Sequence, residues 1–393
     1  MPDIELKFTR AEYADRLRKT RSAMEAKGVD LLIVTDPSNM NWLTGYDGWS
    51  FYVHQCVLVP PQGEPIFFGR AMDAVGARFT AYLDEVNIIG YPDDYVMNTQ
   101  KHPMDLLSSI LTDKGWGGLR TGVEMDNYWF TARAFAALQA GLPNARFSDC
   151  TALVNWQRAV KSATELDYMR KAGAIVTRMH ERIFDVIEPG MRKNDLVAEI
   201  YDAGIRGTDG FGGDYPALVP LLPSGREAAA AHLTWNDKPM KPNEGTFFEI
   251  AGCYHRYHCP LSRTVFLGKP PKVFVEGEKA VLEGMEAGLE AARAGNTCEQ
   301  FAGAFYAVLK KYGIIKDGRT GYPIGVSYPP DWGERTMSLR PGDQTVLEPG
   351  MTFHFMTGLW SDEMGLEITE SIIITEGAPE LLASVPRKLF VKD

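Results

Sequence analysis

The stretch of residues 248–264 holds the side-chain types that perform acid–base, nucleophilic and metal chemistry. These are carboxylate, thiol and imidazole groups: Glu249, Cys253, His255, His258 and Cys259. On an extended strand alternate residues share a face, so His255 and Tyr257 point with Glu249 and His258 points away. A carboxylate beside an imidazole can bind a cationic substrate or transfer a proton. A single strand cannot wrap four ligands tetrahedrally, so the pattern does not favour zinc.

The elements that must position this stretch begin with a small α/β domain. Residues 11–28 have helical periodicity, Gly28 ends that helix, and residues 29–34 read as a buried strand. Strand-like and helix-like runs then alternate to about residue 155. Ser162 and Glu165 have capping-box spacing, which predicts the start of a long helix. We therefore predict two domains, 1–158 and 159–393.

The second half contains two weak repeats with nearly the same offset. Residues 190–196 and 295–301 each open a helix in one pattern. Thr246-Phe247 with Gly252 recurs as Thr352-Phe353 with Gly358. The repeats predict two similar halves, each a helix pair with antiparallel strands, which enclose a pocket between their sheets. Glu249 would then lie near the pseudo-twofold centre.

Composition excludes several classes of partner. The 393 residues carry 41 basic and 51 acidic side chains, a net charge of -10, which argues against nucleic acid and anionic membranes. The five cysteines are scattered and odd in number, so they predict a reducing cytoplasm rather than a disulfide framework. No window approaches the roughly 20 apolar residues of a membrane span, and the N-terminus lacks signal-peptide character.

Motifs spread over nearly the whole chain resemble the pita-bread superfamily, which includes methionine aminopeptidase, prolidase and creatinase. The motifs are Phe248–Gly252, Arg263–Thr264, Gly321–Gly325, Gly350–Met356 and Gly365–Glu370. The resemblance implies an α/β (α+β) fold: a creatinase-type N-terminal domain followed by a pita-bread catalytic domain with an internal pseudo-twofold repeat.

The metal-binding positions of this superfamily are altered here. The peptidases carry Asp, Asp, His, Glu and Glu, and this chain has other residues at those positions: Glu249, Pro260, Tyr322, Met356 and Thr369. A hard divalent cation needs several oxygen or imidazole ligands together, and one carboxylate cannot supply them. We therefore predict no metal and no other cofactor.

Similarity to the metal-free branch, which includes creatinase, implies roles for further residues. Its catalytic histidine matches His232, which is expected to act as a proton shuttle. Tyr322 is expected to donate a hydrogen bond to the substrate or to orient it. Arg335 lies where creatinase-like enzymes hold a substrate carboxylate, which an Arg fork suits. A structural His, a core Tyr and a surface Arg are the alternatives for these three.

Three segments resemble the bacterial ectoine hydrolases in particular: Trp42–Val53, Phe248–Gly252 and Gly365–Ser371. That family opens the ring of ectoine, a cyclic amidine with a carboxylate, to N-acetyl-2,4-diaminobutyrate; hydroxyectoine is a second expected substrate. The resemblance implies a homodimer in which Trp49 or Tyr52 of one subunit reaches the other's site and stacks on the cation. Glu367 and His255 are the further expected substrate contacts.

Glu249 suits this chemistry, because a carboxylate pairs with a planar amidinium. It could attack the electrophilic ring carbon directly or deprotonate a water that attacks, and direct attack is the favoured reading. The alternatives are a creatinase-type amidinohydrolase, a dimethylsulfoniopropionate lyase-like enzyme and a binding module without catalysis.

Overall fold

The structure, a computed structural model, describes residues 4–362 and 364–392. The chain forms two compact units, one ending at Arg158 and the other beginning at Ala159. Each unit has its own sheet and its own buried core.

The N-terminal unit begins with the predicted helix. Thr9 caps it, and Gly28 ends it in the left-handed conformation (φ 71°), so its bounds agree with the prediction. The helices of this unit are α1 (Arg10–Lys27), α2 (Pro37–Thr44), α3 (Ala71–Thr80), α4 (Pro103–Asp113), α5 (Ala132–Gly141) and α6 (Leu153–Gln157).

Strands of the N-terminal unit form one mixed sheet. They are β1 (Leu31–Val34), β2 (Cys56–Val59), β3 (Ile66–Arg70), β4 (Ile88–Tyr91), β5 (Arg120–Val123) and β6 (Arg146–Asp149). Their order is β4-β3-β2-β1-β5-β6, with β2 antiparallel to both neighbours. The predicted strand at residues 29–34 is β1, which is buried throughout.

The second unit contains two helix pairs, α7 (Ala163–Val186) with α8 (Lys193–Arg206), and α9 (Lys272–Ala291) with α10 (Cys298–Lys311). Ser162 and Glu165 form the predicted capping box at the start of α7. Residues 190–196 and 295–301 lead into α8 and α10, as the repeat predicts, and each segment starts with a glycine at positive φ (92° and 88°).

Strands of the second unit meet in one large sheet and a small hairpin. They are β7 (Glu244–Tyr254), β8 (Tyr257–Leu267), β9 (Gly321–Tyr328), β10 (Asp331–Gly333), β11 (Thr352–Phe355), β12 (Leu359–Ser361), β13 (Met364–Leu366), β14 (Glu370–Ile373), β15 (Glu380–Leu381) and β16 (Phe390–Lys392). The large sheet runs β15-β14-β11-β9-β8-β16, with β7 on β8 and β10 on β9, while β12 and β13 form the hairpin.

The long β7–β8 hairpin carries Glu249 and packs against α7. A Cβ added to Gly252 would lie 2.1 Å from the Ala172 carbonyl oxygen of α7, so only glycine permits this approach. Tyr257 donates a hydrogen bond of 2.7 Å to Glu165 at the start of α7. Two contacts therefore hold the hairpin against α7, and they fix the position of Glu249 relative to that helix.

Candidate active site

Glu249 lies in the middle of β7, where both edges of its backbone are occupied. It faces Ser262 in the antiparallel register with β8. On its other edge it exchanges two hydrogen bonds with Leu221, of 3.0 and 3.1 Å. The residue is only 4% exposed. Its carboxylate is thus presented from a rigid backbone in an enclosed site.

A chain of side-chain hydrogen bonds connects Glu249 to three other strands. The Tyr322 hydroxyl of β9 lies 3.5 Å from Glu249 Oε1 and 3.0 Å from His354 Nδ1 of β11. Trp332 of β10 donates its indole N–H to the same hydroxyl at 2.9 Å. His354 Nδ1 is 3.9 Å from Glu249 Oε1. The strand register makes this possible, because His354 stands directly opposite Tyr322.

Thr369, just before β14, completes the chain. Its hydroxyl oxygen lies 2.9 Å from His354 Nε2 and accepts the Ser262 N–H at 2.7 Å. The Thr369 N–H donates to the Ser262 carbonyl oxygen at 3.0 Å. Since Ser262 also faces Glu249, the hydrogen bonds return to the strand next to β7.

Burial changes the protonation of these groups. It raises the pKa of Glu249 to about 7, although the Tyr322 hydroxyl opposes that shift. It also raises the pKa of Tyr322 well above its ordinary value, helped by the nearby Glu249 charge. Burial lowers the pKa of His354 to about 3. Near neutral pH, His354 is therefore an uncharged imidazole, while Glu249 can exchange a proton.

Glu367 is a second buried carboxylate of this site, with 0% exposure. Burial, and then the charge of Glu249, raise its pKa well above the ordinary value. The Ser262 hydroxyl and the Trp360 indole N–H lie close enough to oppose that shift. Among the described residues, neither carboxylate oxygen of Glu367 has a partner in hydrogen-bond geometry, and the Ser262 hydroxyl and the Trp360 indole N–H also lack one. Such a polar cluster is costly unless a ligand satisfies it.

Two cations that sequence reasoning did not single out border these carboxylates. Lys316 donates to the Gly358 carbonyl oxygen at 2.9 Å and lies 4.5 Å from the Trp360 ring centre. Burial lowers the Lys316 pKa to about 8, against the opposing effect of the Glu367 charge. Arg319 places its guanidinium 4.5 Å from the Tyr322 ring centre.

Comparison with known proteins identifies the family. Residues 167–376 match the model of metallopeptidase family M24, and residues 16–160 match the creatinase/prolidase N-terminal domain. The chain belongs to metallopeptidase family M24. It is 60% identical over 399 residues to the ectoine hydrolase of Halomonas elongata, covering 100% of both chains. It is 42% identical over 389 residues to an uncharacterized hydrolase/peptidase of Sinorhizobium fredii, covering 99% of both.

Solved structures with the same fold include a prolidase and a dipeptidase. The chain superposes on the prolidase of Thermococcus sibiricus with a TM-score of 0.84 at 18% identity, covering 96% of this chain and 99% of that one. For the dipeptidase PepE of Mycobacterium ulcerans the TM-score is 0.80 at 23% identity, covering 98% and 99%. These likenesses confirm the predicted fold class, a creatinase-type N-terminal domain with a pita-bread domain.

The residues of this M24 member do not fit the metal that the family name implies. Pro260 has no ligand atom, and Thr369 already bonds with His354 and Ser262. Tyr322 is held by Trp332 and His354. Within the described residues no group of three or more His, Cys, Asp or Glu side chains could hold a metal ion. One carboxylate, a phenol and a neutral imidazole make a poor site for a hard cation.

The structure brings some of the predicted site residues together and leaves others apart. Tyr322 contacts Glu249, and Glu367 interacts with it electrostatically. His232 lies in an exposed turn after the 3₁₀ helix at Gly225–Ala229, and no contact joins it to Glu249. Arg335 is exposed and has a positive φ of 59°.

His255 does not share a strand face with Glu249. It occupies the turn of the β7–β8 hairpin with φ 49°, and its ring contacts Tyr168 and Tyr254. Six residues of extended chain place it roughly 20 Å from Glu249. The expected shared face is wrong because the strand ends at Tyr254, before the alternation reaches His255. His258, which was expected to point away, instead lies on the Glu249 face, because it stands opposite Cys253 in the hairpin register; it is buried and accepts the Ala217 N–H at 2.8 Å. Tyr257 stands opposite Tyr254, so it lies on the other face, contrary to the prediction.

Trp49 and Tyr52 belong to the N-terminal unit and are 58% and 59% exposed.

No helix within the described ranges combines the length and the hydrophobicity required to cross a bilayer.

Sequence reasoning missed His354 and Trp332 as members of the site. A signal for His354 existed: it lies two residues before Met356, so on a strand it shares the face of a family metal position. Trp332 has no comparable signal, because its contact depends on how the short β10 strand folds back onto β9.

Proposed function

We propose that this protein opens the ring of ectoine by hydrolysis and releases N-acetyl-2,4-diaminobutyrate, with hydroxyectoine as a second substrate. Support comes from the full-length relative of Halomonas elongata and from the chemistry of the site. Ectoine is zwitterionic: its ring amidine is a delocalised cation, and it carries one carboxylate. The site must therefore receive both charges.

The observation that carries the proposal is the pair of buried carboxylates. Burial raises the pKa of both Glu249 and Glu367, and the Glu249 charge raises the pKa of Glu367 further, so both are costly to ionise in the empty site. A planar cation with two N–H groups, bound between them, would favour both charged forms. A neutral peptide would not offset that cost. The pair therefore supports an amidinium substrate over the peptides that other M24 members cleave.

Glu249 is the proposed catalytic carboxylate. In the favoured route one of its oxygens attacks the ring carbon between the two nitrogens, and the amidinium electrons move onto nitrogen. The bond from that carbon to one ring nitrogen then breaks, that nitrogen leaves with an added proton, and water releases the acetyl group as an amide. In the alternative, Glu249 removes a proton from the attacking water.

Proton delivery to the leaving nitrogen is the role proposed for His232 and Tyr322. Tyr322 already lies 3.5 Å from Glu249. His232 is on an exposed turn, so it would have to approach when substrate binds. His232→Gln and Tyr322→Phe separate these roles, because only loss of the true donor should reduce kcat much more than it changes KM.

Arg335 and Arg319 are the two candidates for binding the substrate carboxylate. Arg335 is proposed from the family resemblance, and Arg319 from its position on the ring of Tyr322. Arg335→Gln and Arg319→Gln form a matched pair: the anchor variant should raise KM about 10-fold or more, and the other should leave it near wild type.

We further propose a cytoplasmic homodimer in which Trp49 or Tyr52 completes the partner's site, and His255 is a weaker candidate contact. The exposure of both aromatic rings supports this arrangement. A mixture of Glu249→Gln and Tyr52→Ala subunits tests it. Mixed dimers hold one intact site, so an exchanged equimolar mixture should regain about one quarter of wild-type activity if the site is shared.

The decisive experiment is incubation with ectoine, hydroxyectoine, creatine and dimethylsulfoniopropionate, followed by mass spectrometry of the products. We expect N-acetyl-2,4-diaminobutyrate from ectoine, unchanged rates after chelation, and a loss of at least about 10²-fold in Glu249→Gln. Products from creatine or dimethylsulfoniopropionate alone would contradict the proposal. Acid-quenched single turnovers then separate the two routes: an adduct of one whole substrate on the Glu249 peptide supports direct attack, and an unmodified peptide contradicts it.

A further inference from the structure

The Tyr322 hydroxyl has one proton and two acceptors for it. Trp332 donates its N–H to the hydroxyl oxygen, and an indole nitrogen can only donate, so the phenol proton points elsewhere. His354 Nδ1 is 3.0 Å away, and Glu249 Oε1 is 3.5 Å away. Only the shorter distance is normal for a donating hydroxyl. The distances therefore favour His354 over Glu249 as the acceptor of the phenol proton.

Contacts on the other side of the ring fit this direction. A neutral imidazole has one donor nitrogen and one acceptor nitrogen. If Nδ1 accepts from Tyr322, Nε2 carries the hydrogen and donates to the Thr369 hydroxyl oxygen at 2.9 Å. That oxygen also accepts the Ser262 N–H, so two donors meet one oxygen that can receive both. In this tautomer the Tyr322 hydroxyl and both ring nitrogens of His354 have a partner.

We propose that His354 is a positioning residue: it accepts the hydrogen bond that the Tyr322 hydroxyl donates and so keeps that hydroxyl from donating to the Glu249 carboxylate. The inference rests on the proposed role of Glu249 in catalysis. A carboxylate that accepts a strong hydrogen bond is a weaker base and a weaker nucleophile. By engaging Tyr322, His354 leaves Glu249 reactive near neutral pH, while Tyr322 can still turn towards Glu249 as the reaction proceeds.

Other groups that face Glu249 act in addition to this pair. The charge of Asp331 on β10 raises the pKa of Glu249, and the charge of Glu249 raises the pKa of Glu367, which follows β13. Arg319 and Arg263 influence His354 as cations, and both oppose its protonation. None of these four groups donates a hydrogen bond to Glu249 in the structure, so the Tyr322 proton is the feature that His354 controls.

The test is an infrared difference titration of the full-length protein, in which the carboxyl band missing from Glu249→Gln reports Glu249. His354→Asn and His354→Gln are a matched pair. The Asn amide oxygen replaces the Nδ1 acceptor, and the Gln amide reaches towards Thr369 but leaves Tyr322 without its acceptor. We expect the Glu249 midpoint to stay near wild type in His354→Asn and to fall by about one pH unit in His354→Gln.

Two further variants keep the test decisive if His354→Gln does not fold. Tyr322→Phe removes a proton that His354 already holds, so the Glu249 midpoint should stay near wild type, and a rise of about one pH unit would contradict the inference. Thr369→Val removes the acceptor of Nε2–H and favours the other tautomer, so the midpoint should fall. A midpoint that is unchanged or higher in both His354→Gln and Thr369→Val overturns the inference, as does an equal shift in the Asn and Gln variants. Full activity of Glu249→Gln would instead overturn the proposed function, because the titration does not depend on turnover.

Discussion

Removing the Lys161 ammonium should destabilise the second unit strongly. Lys161 Nζ lies 2.5 Å from Glu334 Oε2, and each side chain is only 1% exposed. Breaking a buried ion pair by deleting one partner leaves an uncompensated charge, at a cost of about 3–5 kcal/mol. Lys161→Met should therefore lose a large part of a total stability that is typically about 5–15 kcal/mol.

Urea unfolding of the full chain measures this loss. With a slope of about 3 kcal/mol per molar, the midpoint of the transition should fall by about 1–1.7 M. Arg170→Met is the matched control, since its pair with Glu380 is 47% and 38% exposed and should cost less than about 1 kcal/mol. The double variant Lys161→Met with Glu334→Gln should recover much of the loss, because it removes the buried charge as well.

A cost of under 1 kcal/mol for Lys161→Met would refute this reasoning, as would a double variant no more stable than the single one. The pair also matters for the site. The Glu334 N–H donates to the Pro323 carbonyl oxygen at 2.9 Å, beside Tyr322 and two residues after Trp332. A loosened segment should consequently lower kcat at urea concentrations at which the protein is still folded.

Four more predictions concern buried residues. The pKa of Glu249 is raised to about 7, so its neutral form stabilises the fold below the unfolded value of about 4.5, and that stability is lost as pH rises through 7. In thermal unfolding, Glu249→Gln should therefore be more stable than wild type at pH 8, with a smaller difference at pH 5. The same pKa predicts that kcat/KM rises towards pH 7 and then levels, and a rate independent of pH between 5 and 8 contradicts it. Gly252→Ala places a methyl group 2.1 Å from the Ala172 carbonyl oxygen, so the free energy of unfolding in urea should fall by about 2 kcal/mol or more. The control is Gly63→Ala, where no atom lies within 4 Å of the new methyl group and φ is 83°; backbone strain alone should lower the free energy of unfolding by about 1 kcal/mol. Glu367→Gln should raise KM for ectoine at least about 10-fold by weakening a charged hydrogen bond, and an unchanged KM would remove Glu367 from the binding site.

Local features of the fold could be predicted well. The end of α1 at Gly28 and the capping box of Ser162 and Glu165 depend on residues within one turn of each other. The openings of α8 and α10 recur because each half repeats the same local pattern. The prediction that His255 shares a strand face with Glu249 is wrong, because side chains alternate only while the strand continues and the turn begins at His255.

By itself, the sequence predicted the family and identified Glu249 and the four altered metal positions, because these depend on residue type at matched positions. It could not determine how the site is filled instead. Tyr322 and His354 are 32 residues apart, and Ser262 and Thr369 are 107 apart. Only the strand register brings such distant residues within hydrogen-bond distance, and only enclosure by the sheet raises the pKa of Glu249 and Glu367. The tertiary structure therefore decided which groups lie within reach of the Tyr322 hydroxyl and how deeply Glu249 is buried.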